Sequence, residues 1–238
     1  FGNRTKSNST RHDWPDEYKR VQDFNNKLAL LLGRDRFIAK SDYASIVSEY
    51  SELPIFFDTL EKSGMLPSYA EANGLDKKTI TEFRCTYSQL SEITSESAVI
   101  KAHNDAFIQK QLKEQKRYLD NILKECDPNI MLDDEQREVV LSDEDHTLVI
   151  AGAGAGKTTT VAAKVRFLVE KQDVKPEEIL VISFTNKAVN ELKERINHNL
   201  NIACPISTFH SIGNSIMNTH EDGRKRIVDN GYMFNAIN

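Results

Sequence analysis

Apolar positions in the first part of the sequence recur at intervals of three and four, with few glycines or prolines between them. That periodicity predicts amphipathic helices. The clearest patterns span residues 16–32 and 97–124, and further helices are predicted after two candidate N-caps, Ser41 and Asp76. The apolar stripe of the helix after Asp76 is predicted on Ile80, Phe83, Tyr87 and Leu90.

From about residue 129 the pattern changes to short apolar, β-branched runs that alternate with helical stretches. Strands are predicted at residues 147–150, 179–184 and 206–208. Each of them precedes a predicted helix, and alternation of this kind forms parallel sheets through βαβ crossovers. We therefore predict an α/β protein in which a mostly α-helical N-terminal region, residues 1–128, precedes the first part of a parallel-sheet domain, residues 129–238.

Composition narrows the class of protein without identifying a function. Hydrophobic residues make up 39% of the chain and charged residues 28%, as in soluble globular proteins, and no apolar run reaches the length of a membrane span. The net charge of −5 argues against binding of nucleic acid by bulk attraction. Three well-separated cysteines favour neither disulfides nor zinc, so we expect a cytoplasmic protein without membrane contact. Because the first residue is Phe1, we expect the chain to begin inside a longer product or after a removed tag.

A glycine-rich segment carries the strongest chemical signal. AGAGAGKTTT, residues 151–160, follows the predicted strand at 147–150 and departs from the phosphate-loop pattern GxxxxGK[ST] only at its first position. Glycines allow a tight turn whose N–H groups converge on phosphate oxygens, and the N-terminus of the next helix attracts the same anion. Lys157 would bridge the β- and γ-phosphates, and the Thr158 hydroxyl would hold Mg²⁺.

Three further segments occur in order around this loop. LDDEQREVV (132–140) precedes it, and SFTNKAVNELKERI (183–196) and STFHSIG (207–213) follow it. Together with the loop, they resemble the Q motif, Walker A, motif Ia and motif Ib of UvrD/Rep-type superfamily 1 DNA helicases. The resemblance covers about residues 132–217 and implies a partial RecA-like domain. The stretches HNDAFI and RYLDNIL, before residue 128, are similar to the helical N-terminal region of the helicase IV-like branch.

The resemblance implies roles for individual residues. Gln136 would read adenine, because a carboxamide both donates to and accepts from one base edge, and the nucleotide is then ATP with Mg²⁺. The implied nucleotide-binding residues are Gln136, Ala151, Gly152, Ala153, Gly154, Ala155, Gly156, Lys157, Thr158 and Thr159, with Lys157 and Thr158 also catalytic.

Motifs Ia and Ib imply contacts with single-stranded DNA, or with a junction of single- and double-stranded DNA. The implied residues are Phe184, Thr185, Asn186, Lys187, Thr208, Phe209 and His210. Hydroxyl, amide and ammonium groups suit phosphates, and an aromatic ring suits a base.

Taken singly, most of these residues have a simpler structural explanation. Gln136 fits a solvated position on a helix, and Phe184 and Phe209 fit a hydrophobic core. The seven acidic residues between Asp133 and Asp145 fit a solvated face. Their occurrence around one phosphate loop is what favours the functional interpretation.

The sequence departs from the family pattern in two places. Members often carry arginine directly after GKT, where this chain has Thr159. No acidic DExx segment follows residues 207–213, so the groups that bind Mg²⁺ and activate water are missing, as are the arginine fingers and the second motor domain. We therefore expect an N-terminal fragment of an ATP-dependent 3′–5′ DNA helicase, able to bind nucleotide but inactive by itself.

Two other functions fit the residues. A different P-loop enzyme, such as a small-molecule kinase or a transporter ATPase, would work independently of DNA. The same module could also serve a DNA-sensing or nuclease-recruiting protein of defence or repair, and a protein partner bound by residues 1–128 would favour that function. Those helices could also serve autoinhibition or structural support, of which structural support is favoured.

Overall fold

The computed structural model describes residues 17–92, 97–152 and 154–220, which divide into two compact units. The helical unit takes its described residues from Phe1–Lys113 and Ser142–Leu148. The mixed unit takes them from Glu114–Leu141 and Val149–Asn238. Within the described ranges, no helix is long and apolar enough to cross a bilayer.

Aromatic side chains form the core of the helical unit. Its elements are α1 (Glu17–Leu32), α2 (Lys40–Glu49), α3 (Glu52–Lys62), α4 (Leu66–Ala72), α5 (Lys77–Ser91) and most of α6 (Ala98–Glu114). The ring of Phe24 packs edge-on against those of Tyr50 and Phe83, with centroids 5.6 and 5.1 Å apart, and all three are buried. Edge-to-face pairs of this kind add to the stabilisation from burial. One aromatic cluster therefore joins α1, the C-cap residue of α2 and α5.

Two of the helix predictions in this unit are confirmed. Helix α1 ends at Leu32, as the periodicity predicts, and α5 begins after Asp76. The Asp76 carboxylate accepts a hydrogen bond from the backbone N–H of Thr79 at 2.6 Å, so it caps the helix. Three residues of the predicted stripe are buried, and the fourth, Tyr87, packs against the same core.

The predicted N-cap Ser41 is wrong, because α2 already begins at Lys40. Acidic side chains satisfy the first N–H groups of this helix instead: the Lys40 N–H donates to Glu144 at 2.9 Å, and the Ser41 N–H donates to Asp145 at 2.7 Å. The Ala39 N–H donates to Asp42 at 2.9 Å. The prediction of a merely solvated acidic face is therefore wrong for Glu144 and Asp145, which stabilise a helix N-terminus.

The single helix predicted over residues 97–124 is interrupted. Helix α6 ends at Glu114, and α7 (Lys116–Asn121) begins after Gln115. On α6, the buried Asn104 side chain bonds both the backbone N–H and the carbonyl of Ile38, at 2.9 and 3.0 Å, inside the helical unit. The elements on either side of the break pack into different units, which a continuous periodicity does not reveal.

The mixed unit combines helices with a parallel pair of strands. Its remaining elements are α8 (Asp134–Leu141), α9 (Lys157–Lys171), a 3₁₀ helix (Pro176–Glu178), β1 (Val181–Ser183), α10 (Asn186–Lys193), a π-helix (Glu194–Asn199), β2 (Ile206–Thr208) and α11 (Phe209–His220). Strands β1 and β2 pair in register, Val181 with Ile206 and Ser183 with Thr208. The chain crosses between them through α10 and the π-helix, so the predicted parallel βαβ connection is confirmed.

The strand predicted at residues 147–150 is wrong. This segment has no assigned secondary structure, and the side chains of Leu148 and Ile150 are 86% and 91% exposed. Within the described residues, the only strands are β1 and β2, which pair with each other. An apolar composition alone does not make a strand, because the backbone also needs hydrogen-bonding partners on a neighbouring strand.

Candidate functional site

The glycine-rich loop turns through two left-handed residues. Gly154 and Gly156 have φ angles of +80° and +74°, a region that costs little free energy only for glycine. Gly156 is also the N-cap of α9, so the second left-handed residue leads directly into that helix. Ala153 lies outside the described residues.

Gln136 joins the beginning of α8 to this loop. Its Nε2 donates to the carbonyl of Ala155 at 3.2 Å, and its Oε1 accepts from the backbone N–H of Asp133 at 3.1 Å. Its backbone N–H donates to the Asp133 carboxylate at 2.8 Å, which completes a reciprocal capping box. A Cβ on Gly156 would lie 2.5 Å from the Gln136 Nε2. Gln136 is therefore half-buried and bonded, rather than a solvated helix residue.

Lys157 reaches back across its own loop. Its Nζ donates to the carbonyls of Gly152 and Ala151, at 2.6 and 3.2 Å. Helix geometry leaves the first N–H groups of α9 without intrahelical acceptors, so they add partial positive charge near the ammonium. Thr158 is half-buried in the same turn. This end of α9 is chemically suited to an anion.

A cavity of about 1100 Å³ lies beside the loop, within the mixed unit. Its polar lining includes the side chains of Gln136, Lys157 and Thr159. Its apolar lining includes Val149, Ile150, Val161, Leu180 and Ile182. Thr158, the predicted Mg²⁺ ligand, is not among the lining residues. The volume is sufficient for a ligand of nucleotide size, and the lining combines polar and apolar groups.

A buried ion pair fixes the helix that carries Gln136. On α8, the buried Arg137 donates from Nη2 to the Asp120 carboxylate of α7 at 2.7 Å, and from Nε to the carbonyl of Leu132 at 2.9 Å. Hydrogen bonds from Lys116 and Arg137 hold the pKa of Asp120 below its usual value. This pair could not be predicted from the sequence, because opposite charges far apart in the chain carry no local signal.

An arginine also stands beside Thr159, the position where the sequence analysis found none. Nη1 of Arg195 donates to the Thr159 hydroxyl at 3.0 Å. Arg195 belongs to the π-helix and pairs with Glu191 one turn earlier, at 3.2 Å. The separation of the two residues along the chain again left no local signal.

Two exposed aromatic rings stand at the carboxyl ends of the strands. Phe184 and Phe209 are 87% and 72% exposed, so the explanation that they belong to a core is excluded. Each directly follows a strand end, and those ends, Ser183 and Thr208, are register partners. Paired strands lie about 4.8 Å apart, so both rings leave the sheet at the same edge.

The remaining predicted residues of motifs Ia and Ib divide into exposed and buried positions. Thr185, Asn186, Lys187 and His210 are exposed, and the Thr185 hydroxyl caps α10 by accepting from the Ala188 N–H at 3.2 Å. We name the exposed set Phe184–Lys187, Phe209 and His210 the edge strip.

Thr208 is buried, unlike the residues of the edge strip. Its hydroxyl donates to the Ser211 Oγ at 3.0 Å and accepts from the Ser211 N–H at 3.2 Å, so it caps α11. The structure therefore gives this hydroxyl a local partner that positions Phe209 and His210. Among the described residues, no group of three or more His, Cys, Asp or Glu side chains is arranged to hold a metal ion.

Comparison with known proteins agrees with the resemblance. Residues 132–235 match the family described as UvrD/REP helicase N-terminal domain. A probable DNA helicase II homolog of Mycoplasma capricolum is 45% identical over 84 residues, which are 34% of this chain and 12% of that protein. The ATP-dependent DNA helicases PcrA of Staphylococcus epidermidis and Staphylococcus aureus are 40% identical over 84 residues and 41% identical over 81. These alignments cover 34% and 33% of this chain, and 12% and 11% of the two helicases.

Proposed function

Because residues 132–235 match the UvrD/REP helicase N-terminal domain, we propose that the chain is the ATP- and DNA-binding front of a helicase that moves 3′ to 5′ along single-stranded DNA. The observation that carries the proposal is the meeting, in one unit, of a left-handed glycine loop leading into α9 and an exposed aromatic edge strip. In this proposal, the loop and the first turn of α9 bind the anion, and the edge strip at the ends of β1 and β2 stacks with bases. We further propose that residues 129–238 are the first part of a RecA-like domain and residues 1–128 a separate helical region. The compact units divide differently, since residues 114–128 belong to the mixed unit and Ser142–Leu148 to the helical unit.

The residues around the loop fit ATP with Mg²⁺. ATP supplies the free energy for movement when its terminal phosphate is transferred to water. The loop from Ala151 to Thr159 would surround the phosphates with N–H groups, and Lys157 would exchange its two carbonyl partners for phosphate oxygens. Gln136 would likewise exchange its bond to Ala155 for the adenine edge. Thr158 stays our proposed Mg²⁺ ligand, on the chemistry of a hydroxyl next to the lysine.

The edge strip fits single-stranded DNA. Thr185, Asn186 and Lys187 offer a hydroxyl, an amide and a cation to successive phosphates. Phe184 and Phe209 offer ring faces at the same edge, where unpaired bases can stack without regard to sequence. His210 adjoins the second ring, and the buried Thr208 contributes by capping the helix that presents both.

Binding measurements on the purified 238-residue chain test both halves of the proposal. We expect the chain to bind a fluorescent ATP analogue in Mg²⁺, and Lys157→Ala to lower that affinity at least about tenfold, in keeping with the loss of a charge-assisted contact. Lys171→Ala, at the other end of α9, makes the same change of charge and is expected to have little effect. Lys157→Ala is expected to leave the affinity for a single-stranded oligonucleotide unchanged.

The DNA half is tested by anisotropy of a labelled single-stranded oligonucleotide. Phe184→Ala and Phe209→Ala are each expected to weaken binding by about 1–3 kcal/mol, the usual contribution of one stacked base. Ile216→Ala, at another exposed apolar residue of α11, is the matched control. Nucleotide binding with no affinity for DNA would instead indicate a different P-loop enzyme.

A separate part of the proposal is that this chain alone does not hydrolyse ATP. The chain carries no DExx segment after residue 213, so we expect no steady phosphate release from it, with or without DNA. Steady DNA-stimulated release from the purified chain would contradict this part. In a longer product that contains such a segment, DNA should stimulate hydrolysis, and Lys157→Ala should abolish it.

A further inference from the structure

One hydrogen bond connects the first turn of α9 to the π-helix. Nη1 of Arg195 donates to the Thr159 hydroxyl at 3.0 Å. Thr159 lies two residues after Lys157 and lines the cavity beside the loop. An anion bound to the N–H groups of this turn can displace Thr159. Any such displacement also changes the hydrogen bond to the Arg195 side chain.

Arg195 also belongs to the helical segment that begins at the edge strip. Thr185 caps α10, and the chain passes from Lys193 into the π-helix with helical backbone angles throughout. The nine steps from Asn186 to Arg195 span about 14 Å at the rise of an α-helix. One continuous helical segment thus carries Asn186 and Lys187 of the edge strip near its beginning and Arg195 further along.

The surroundings of Arg195 restrain it in this position. Its carbonyl accepts from the Leu200 N–H at 3.1 Å, the wider spacing of a π-helix, and from the Cys126 Sγ at 3.7 Å. Its Nη2 pairs with Glu191 at 3.2 Å, which leaves Nη1 directed at Thr159. Short π-helical insertions frequently occur at functional sites, because they re-aim one side chain within a helix.

We propose that Arg195 is a positioning residue that couples the glycine-rich loop to the edge strip through the hydroxyl of Thr159. Nucleotide at the loop sets the position of Thr159, and Arg195 transmits that position to the helical segment whose beginning holds DNA. By linkage, DNA at the edge strip must change nucleotide affinity by the same factor. The inference rests on the proposed function, since it requires both ligands to bind.

The test is the ratio of two affinities. The dissociation constant of the fluorescent ATP analogue is measured with and without a saturating single-stranded oligonucleotide, and the ratio is the coupling factor. We expect a factor of about five or more for the unaltered chain. Arg195→Ala and Thr159→Val should each bring it close to one, and the double variant should do no more than either change alone, because both remove the same bond.

Two matched variants separate this role from a merely structural one. Thr159→Ser keeps the hydroxyl and is expected to retain the coupling. Glu191→Gln neutralises the other partner of Arg195 and is also expected to retain it. A purely structural role would lower the thermal midpoint and both affinities together while leaving the ratio unchanged, and that result would overturn the inference.

The remaining outcomes are also distinguishable. An unaltered coupling factor in Arg195→Ala, or a factor of one in the unaltered chain with both ligands bound, would overturn the inference and leave the proposed function standing. Failure of the unaltered chain to bind either the analogue or the oligonucleotide would overturn the proposed function, and this inference with it.

Discussion

The helical unit and the mixed unit use the same aromatic side chain in opposite ways. In the helical unit, Phe24 and Phe83 are buried and pack edge-on within one cluster. In the mixed unit, Phe184 and Phe209 are almost fully exposed at adjacent strand ends. Exposed aromatic rings lack the stabilisation that burial provides, so two of them at one sheet edge support the proposal that this edge binds a ligand.

The polar side chains of the two units also differ in the groups to which they bond. In the helical unit they act within the scaffold: Asp76 and Asp145 satisfy helix N-termini, and Asn104 satisfies a buried backbone segment. In the mixed unit, Gln136 and Lys157 bond to carbonyls of the glycine-rich loop, which are partners that a ligand can replace. The hydrogen bonds of the helical unit hold its elements in place. Those of Gln136 and Lys157 hold the two side chains where a ligand could replace the loop carbonyls.

The largest expected effect contrasts two phenylalanines. Phe24→Ala is expected to lower the free energy of unfolding by about 3–5 kcal/mol, because it opens a cavity among Tyr50, Phe83 and Tyr87. Phe184→Ala is expected to change it by less than about 0.5 kcal/mol, because that ring is already in water. Urea denaturation followed by circular dichroism measures both. Similar losses of stability would remove the distinction between scaffold and binding surface.

A glycine series in the loop has the next largest expected effect. Gly152→Ala meets neither a positive φ nor a neighbouring atom and should be tolerated. Gly154→Ala adds left-handed strain, a cost of about 1–2 kcal/mol. Gly156→Ala adds the same strain and a Cβ 2.5 Å from the Gln136 Nε2, whose side-chain end can shift only by giving up its bond to Ala155, so this variant should be slightly more destabilising than Gly154→Ala. Thermal unfolding of the three variants gives the order, and equal midpoints would show that the loop is not held in this conformation.

A double variant separates the two costs at Gly156. Gln136→Ala removes the side chain that the new Cβ would meet, while the left-handed strain stays. Gly156→Ala should therefore destabilise the Gln136→Ala background by about as much as Gly154→Ala destabilises the unaltered chain. An undiminished effect of Gly156→Ala in that background would show that Gln136 does not restrict the loop.

Local patterns in the sequence predicted much of this architecture. The bounds of α1, the Asp76 cap and strand β2 depend on residues close in the chain, and the structure confirms them. The N-terminus of α2 depends on Glu144 and Asp145, which lie about a hundred residues away, and no local pattern announces them. The prediction of a strand at residues 147–150 was wrong for the same reason, since a strand requires a partner strand that its own composition cannot supply.

The features of the candidate site also divide into those that short segments predict and those that depend on contacts between distant residues. The glycine-rich loop, the Gln136 position and the two strand-end aromatics follow from short segments, and the family match supports the helicase resemblance over residues 132–235. The Asp120–Arg137 and Arg195–Thr159 contacts join separate elements and became visible only in three dimensions. The roles of the individual loop and strip residues stay predictions until ligand binding is measured.

The smallest expected effect is on the pH dependence of stability. It involves two carboxyl groups with lowered pKa values, one in each unit. Asp120 of the mixed unit is bonded by Lys116 and Arg137, and Asp145 of the helical unit by Ser41, so both folded pKa values lie below the usual 3.8. A depressed folded pKa stabilises the protein above the unfolded pKa, and this contribution is lost as pH falls through the folded value. Stability should therefore decrease below about pH 4, and Asp120→Asn and Asp145→Asn should each flatten that decrease.

Urea titrations at pH 7 and about pH 3 measure this effect, which should be small because Asp145 is exposed to solvent and Asp120 is only half-buried. At pH 7, Asp120→Asn should cost more than Asp145→Asn, because Arg137 is only 10% exposed and keeps its charge without its partner. As pH falls towards 3, the two variants should approach the unaltered chain, because protonation progressively removes the contribution that each substitution abolishes. If Asp120→Asn is as costly at pH 3 as at pH 7, its effect comes from packing, and the ion pair does not fix the helix that carries Gln136.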